Sequence, residues 1–331
     1  MATSDFSLLA ADRGNTLPWL ARRRKWWSQL TSRCAGPDCP QSGKLWPSRL
    51  HKSEGIIFDG RWYCCRGCLE AILGARVHTL LSSFHIEKPR AHRLPIGLLL
   101  VNRGVISPAQ LREAIRLQRE AGHGKLGDWL RQTAGLGDQQ LTAALGQQWG
   151  CPVFPLEHQV TSATWSDLIP LPLLLSAGAV PAYASSDGRV LHLAFGERVD
   201  HTLLYAAEQM LLCRTFPCVA SGHALQAKLE QFRRLTSGMD TCFDTIRESS
   251  EMTWTIGNYA VELKAKRLVL ARAGSYIWVR FFRDQSSRDL LFRILPDNNS
   301  DYFERLSART KAFSASADGR KGGVSNASTS L

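Results

Sequence analysis

The sequence predicts a mixed α/β protein assembled from a small cysteine-held finger, a pair of helical repeats and a small α+β module. Three observations carry this. Five of the nine cysteines fall between Cys34 and Cys68, around an Asp-Gly turn signal. Positions Gly97, Leu111, Ile115 and Gln118 return as Gly127, Leu141, Leu145 and Gln148, always 30 residues later, and a fixed period of that size marks a structural repeat. Near the carboxy terminus, apolar residues alternate with period two around Ile277, Val279 and Phe281, the pattern of a strand.

Length and composition bound the possibilities. A chain of 331 residues has room for two or three domains. Its 44% hydrophobic and 21% charged content is ordinary for a globular protein. No apolar run reaches the ~18 residues a membrane span needs, and the best candidate, LIPLPLLLSAGAV, is interrupted by Pro170 and Pro172. At the amino terminus, charge follows the short apolar patch instead of preceding it, so no secretory signal is expected and the cytoplasm is the expected compartment. Net charge is +12, and residues 1–93 hold 15 Lys or Arg against 7 Asp or Glu. The densest part, ARRRKWWSQL, joins Arg22, Arg23, Arg24 and Lys25 to Trp26 and Trp27, a basic aromatic arm over residues 1–33 suited to an anionic surface or an acidic partner. No nucleic-acid fold signature accompanies it, so nucleic acid is not the expected partner.

The cysteine cluster asks for a metal. A structural zinc site takes four ligands in a tetrahedron, commonly as two close pairs. Cys34 with Cys39 makes one pair, and Cys68 with Cys64 or Cys65 makes the other. Between them GIIFDGRWY reads as a hairpin turning at Asp59-Gly60, and CLEAIL then starts a helix. Disulfides are not expected in a cytoplasmic chain. Knuckle, hairpin and helix in this order resemble a treble-clef zinc finger, and YCCRGC resembles that family's YCSxxC element. The resemblance implies Cys34, Cys39, Cys64 and Cys68 as ligands, with Cys65 in the serine place, in a finger spanning 34–90. A segment this small has no core of its own, so zinc would act as its folding energy, and a closed four-cysteine set implies a structural role.

In the first repeat, ISPAQ carries a capping box, with Ser107 at the N-cap, Pro108 at N1 and Gln110 at N3. Leu111, Ile115 and Gln118 then fall on one helix face, and Leu141, Leu145 and Gln148 fall on the matching face of the second copy. Gly97 and Gly127 each permit a close approach. Two equivalent half-sites suit either a helical pair packed on its own copy or a ligand that is itself two-fold symmetric.

Given twice with a short spacer, the pattern R-L-G-x-x-L-V-x-x-G-x-I-x-x-x-x-L-x-x-A-L-x-x-Q resembles the MshEN domain at the front of type II secretion (GspE-like) and type IV pilus assembly ATPases. WGCPVFPL, LIPLPLLLSAGAVPAY, RVLHLAFGERVDHTLLYAAEQML and CVASGHALQAKLEQF are similar to the α/β half of the same domain, so the resemblance covers about 94–232. Some members of that family bind cyclic di-GMP. By resemblance, Gly97, Leu111, Ile115 and Gln118 of the first copy, and Lys125, Leu126, Gly127, Leu141, Leu145 and Gln148 of the second, are the ligand-holding positions. The first copy departs from the pattern, with Pro95 and Ile96 where a basic residue is expected. The second has Ala134 beside Gly135 at the internal glycine.

From Met252 the chain reads as a helix followed by strands, a module over 250–305 weakly similar to the one that precedes the motor in secretion ATPases. The sequence contains no GxxxxGK[ST] to position nucleotide and magnesium. No Ser-His-Asp, Cys-His or HExxH constellation is evident. Residues 308–331 form a Ser, Ala and Gly tail too poor in apolar surface to order itself. The sequence therefore predicts a non-catalytic adaptor, with zinc as its metal, cyclic di-GMP as its ligand and secretion or pilus machinery as its partner. The alternative is a ligand-free assembly module.

Overall fold

Asp59 and Gly60 both adopt positive φ, 46° and 75°, the left-handed pair that a two-residue type I′ hairpin requires. They join β1 (Ile56–Phe58) to β2 (Arg61–Tyr63) in an antiparallel hairpin. Helix α1 (Arg66–Ser82) follows at once, burying Leu69, Leu73 and Val77 four residues apart along one face. The structure, a computed structural model, describes residues 34–39, 55–82, 93–158, 168–235, 241–246, 248–284 and 286–294. The basic arm (1–33) and the tail (308–331) lie outside these residues. No described helix is long and apolar enough to cross a membrane.

The repeats form four helices: α2 (Ile96–Asn102), α3 (Pro108–Ala121), α4 (Leu126–Ala134) and α5 (Asp138–Trp149). At the start of α3, Ser107 N donates to Gln110 Oε1 at 2.8 Å and Gln110 N donates to Ser107 Oγ at 3.2 Å. At the start of α5, Gly137 N donates to Gln140 Oε1 at 3.0 Å. Leu100, Ile106 and Ala114 share a core with their repeat counterparts Leu130, Leu136 and Ala144. The copies interleave, with α2 packed on α5 and α3 on α4. Each half of the pair therefore completes the apolar face of the other.

After a short 3-10 turn (Leu156–His158) come α6 (Leu171–Ala177), β3 (Ala179–Ala184), β4 (Val190–Phe195), α7 (His201–Leu211), β5 (Arg214–Val219) and α8 (Gly222–Leu235). β3 pairs antiparallel with β4, and β4 pairs parallel with β5, so α7 is the crossover that a parallel pair needs. Leu191, Leu193 and Phe195 of β4 point toward α6 and α7. Val180, Ala182, Ala194 and Cys218 point the other way, onto α8.

Then come β6 (Thr241–Phe243), α9 (Ser249–Glu262), β7 (Arg267–Ala273), β8 (Tyr276–Phe282) and β9 (Ser287–Arg293). These strands do not stand apart from the finger. The six-stranded order is β2-β1-β7-β8-β9-β6, with β1 parallel to β7 through Ile57 opposite Arg267 and Phe58 opposite Leu268. Described residues of two segments that read separately along the chain, 34–90 and 250–305, thus share one sheet and one core, in which α1 and α9 cover the same face. The opposite face packs Ala271, Ala273 and Trp278 onto α7. β8 is buried along its whole length because both of its faces are covered. All described residues belong to one compact unit that ends at Ile294.

Candidate functional site

The sequence-derived site residues fall in two places. The first is the cysteine centre. The knuckle at 34–39 is held to the hairpin by Ala35 N donating to Trp62 O at 2.9 Å, and the turn into α1 delivers Cys64 and Cys68. The sulfurs of Cys34, Cys39, Cys64 and Cys68 all lie within 4.8 Å of one another. Cys39 and Cys64 sulfurs are 3.6 Å apart, and Cys64 and Cys68 sulfurs 3.9 Å. In a tetrahedron with Zn–S bonds of about 2.3 Å the sulfur–sulfur edge is about 3.8 Å, so the donor set matches zinc in size and in softness. Gly36 makes the approach feasible, because a Cβ there would come within 2.8 Å of Cys68 Cβ. Cys65, immediately before α1, is exposed and places its sulfur 3.6 Å from Cys68 Sγ.

The electrostatics suit a bound cation. Burial pushes the Cys34 thiol up, but the N–H groups of Cys64 and Gly36, which donate to its sulfur at 3.3 and 3.4 Å, and the adjacent thiols bring it below its ordinary value. Cys64 is pushed up to about 12 by burial and by its thiol neighbours, and burial raises Cys68 as well. Cys64 and Cys68 thus resist deprotonation beside their neighbours, and a divalent cation at the centre of the cluster would remove that resistance.

The second place is the paired-repeat face. Gln118 Nε2 donates to Gly124 O at 3.0 Å, and Gln148 Nε2 donates to Leu94 O at 2.8 Å. Positions 94 and 124 are themselves repeat counterparts. Each copy therefore uses its glutamine to fix the segment that leads into the other's first helix, a reciprocal arrangement. Gly97 and Gly127 are approached by Leu111 and Leu141: a Cβ at Gly97 would meet Leu111 Cδ1 at 2.5 Å, and one at Gly127 would meet Leu141 Cδ2 at 3.0 Å. Both leucines, like Ile115, Leu126 and Leu145, are half-buried.

The halves are built alike and coated differently. Leu94 is 63% and Leu98 53% exposed in the first copy, where the second has Gly124 and Asp128. Lys125, exposed at the start of α4, forms an ion pair with Glu197. Trp149 Nε1 donates to Glu197 O at 3.0 Å, and the Arg93 guanidinium lies over the Trp149 ring at 3.4 Å. Glu197 and Trp149 are not singled out by the sequence pattern, whereas Arg93 is the basic residue nearest in sequence to Pro95 and Ile96, where the first copy lacks its cation. Arg93 and Trp149 flank the repeated stretches without repeating, and Glu197 belongs to a loop after β4 that has no periodicity.

No family model matches the chain, and no curated protein matches it. Among solved structures it is similar to a structure of MshE with cdg, at 27% identity, covering 42% of this chain and 99% of that one with a TM-score of 0.36. It is also similar to two crystal forms of the N-terminal domain of XpsE. One is 17% identical, covering 43% of this chain and 97% of that one with a TM-score of 0.25. The other is 14% identical, covering 47% and 94% with a TM-score of 0.29.

Proposed function

We propose that this chain is a non-catalytic regulatory adaptor whose paired repeats receive cyclic di-GMP and whose four-cysteine centre holds a structural zinc ion. The observation that carries the ligand reading is the reciprocal glutamine anchoring, Gln118 to Gly124 O and Gln148 to Leu94 O. It builds two equivalent backbone half-sites, and cyclic di-GMP is a two-fold ligand. The repeat pattern's resemblance to MshEN supplies the ligand's identity, and its family setting supplies the partner class, secretion or pilus machinery. Zinc is supported by sulfur spacing close to a tetrahedral edge and by N–H donors aimed at Cys34. With four thiolates bound the coordination shell would be closed, so the ion would staple the knuckle to α1 and take no part in chemistry.

Calorimetric titration of the full chain with cyclic di-GMP tests the ligand. Lys125→Ala removes the cation of the second half-site and should weaken binding about tenfold or more, the ~1.5–3 kcal/mol of a charge-assisted hydrogen bond. Pro95→Arg, which adds a cation to the first, should strengthen it. A second reading, a ligand-free assembly module, is favoured by one observation: Leu111 and Leu141 already fill the space at Gly97 and Gly127. Folded protein that binds no cyclic di-GMP at high micromolar concentration would establish that alternative.

A further inference from the structure

We infer that the Glu197 carboxylate is an internal competitor for the cyclic di-GMP site, occupying Lys125 until a ligand phosphate displaces it. The inference rests on the receptor reading above and adds its regulation. Lys125 Nζ is paired with Glu197 Oε1, and both side chains are about half exposed, 46% and 56%. Such a pair is screened by water and salt and is easily exchanged. What keeps the carboxylate in place is its backbone: Glu197 O accepts from the Trp149 indole N–H at 3.0 Å. The competitor is therefore present at high effective concentration even when its side chain lets go. Trp149 also carries Arg93 on its ring. Arg93 precedes the anchored Leu94 in the first copy, and Lys125 follows the anchored Gly124 in the second. Glu197 thus meets Lys125 through its carboxylate and is linked to Arg93 only through its backbone carbonyl and the Trp149 ring.

Exchange would have a structural consequence. The turn holding Glu197 runs into Asp200, which caps α7 by accepting from Thr202 N at 2.9 Å and Leu203 N at 3.2 Å. Thr202 Oγ1 in turn accepts from Gly274 N, between β7 and β8, at 2.6 Å. Releasing Lys125 from Glu197 removes a side-chain tie between the repeats and a turn connected to the six-stranded sheet, which makes ligand binding felt outside the repeats.

The test is calorimetry of the full chain with cyclic di-GMP for wild type, Glu197→Gln, Lys125→Ala and the double variant, each with its melting curve. Glu197→Gln should bind about three- to fivefold more tightly, the scale of an exposed ion pair, and that gain should vanish in the Lys125→Ala background. Glu197→Asp, too short to keep the pair, provides a second variant should the glutamine form fail to fold. Equal affinity of wild type and both Glu197 variants would overturn the competitor while leaving the receptor intact. So would a gain that persists without Lys125. Absence of binding by every variant would remove the receptor reading and this inference together.

Discussion

At Gly36 the margin is a single methyl group: a Cβ would come 2.9 Å from Cys68 Sγ as well as against its Cβ. The cysteine centre depends on such individual positions, and the sequence displays most of them. Clustering singles out Cys34, Cys39 and Cys68, but Cys64 and Cys65 are neighbours that spacing cannot separate. Geometry distinguishes them: Cys64 Sγ lies 3.6 Å from Cys39 Sγ, while Cys65, immediately before α1, is exposed. Purified protein should carry about one zinc. Cys39→Ser, Cys64→Ser or Cys68→Ser should lose it, while Cys65→Ser and Cys151→Ser should retain it, as read by metal analysis of anaerobically prepared protein. Zinc kept by Cys64→Ser and lost by Cys65→Ser would reverse the assignment.

At the scale of elements, the repeat helices were legible from periodicity and capping, but their partners were not. A 30-residue period gives two matching helix faces, suited to packing of one copy on the other, without saying which helix each one meets. The structure packs α2 on α5 and α3 on α4, because Leu100, Ile106 and Ala114 find their complement in Leu130, Leu136 and Ala144. Interleaving makes a measurable prediction about symmetry. Gln118→Ala and Gln148→Ala each delete one reciprocal anchor, so each should cost a similar amount, about 0.5–1.5 kcal/mol by urea denaturation. A large inequality between them would show that the two anchors are not equivalent.

For the whole molecule, the decisive group is buried between layers. Arg280 is 2% exposed on the α7 face of β8, donating to Asp289 through Nε at 2.7 Å and Nη2 at 2.6 Å, and from Nη2 to Leu168 O at 3.0 Å. Trp278 Nε1 donates to the same carboxylate at 2.8 Å. This network ties β8 and β9 to the segment entering α6, across the interface that makes the sheets one body. Arg280→Met leaves Asp289 buried and charged, and should cost about 3–5 kcal/mol of unfolding free energy. Replacing both, Arg280→Met with Asp289→Leu, should recover much of that loss, since the desolvation of two charges disappears with them. A double variant as unstable as the single would assign the network a packing role that the ion pair does not explain.

What the sequence determined by itself was local: the Asp59-Gly60 turn, the Ser107 cap, the helix faces at repeat spacing and the clustered thiols. Each signal is carried by residues a few positions apart, because turn dihedrals, caps and helix faces are set within one or two turns of chain. Only tertiary structure decided that β1 joins β7, that β8 is buried on both faces and that Lys125 meets Glu197. Ile57 and Arg267 are distant in sequence, and β1 has three residues, too few to announce a partner. Their pairing follows from the shared burial of Phe58, Leu69, Ile256 and Ile277 in one core, and burial is a property of the assembled layers that no spacing encodes.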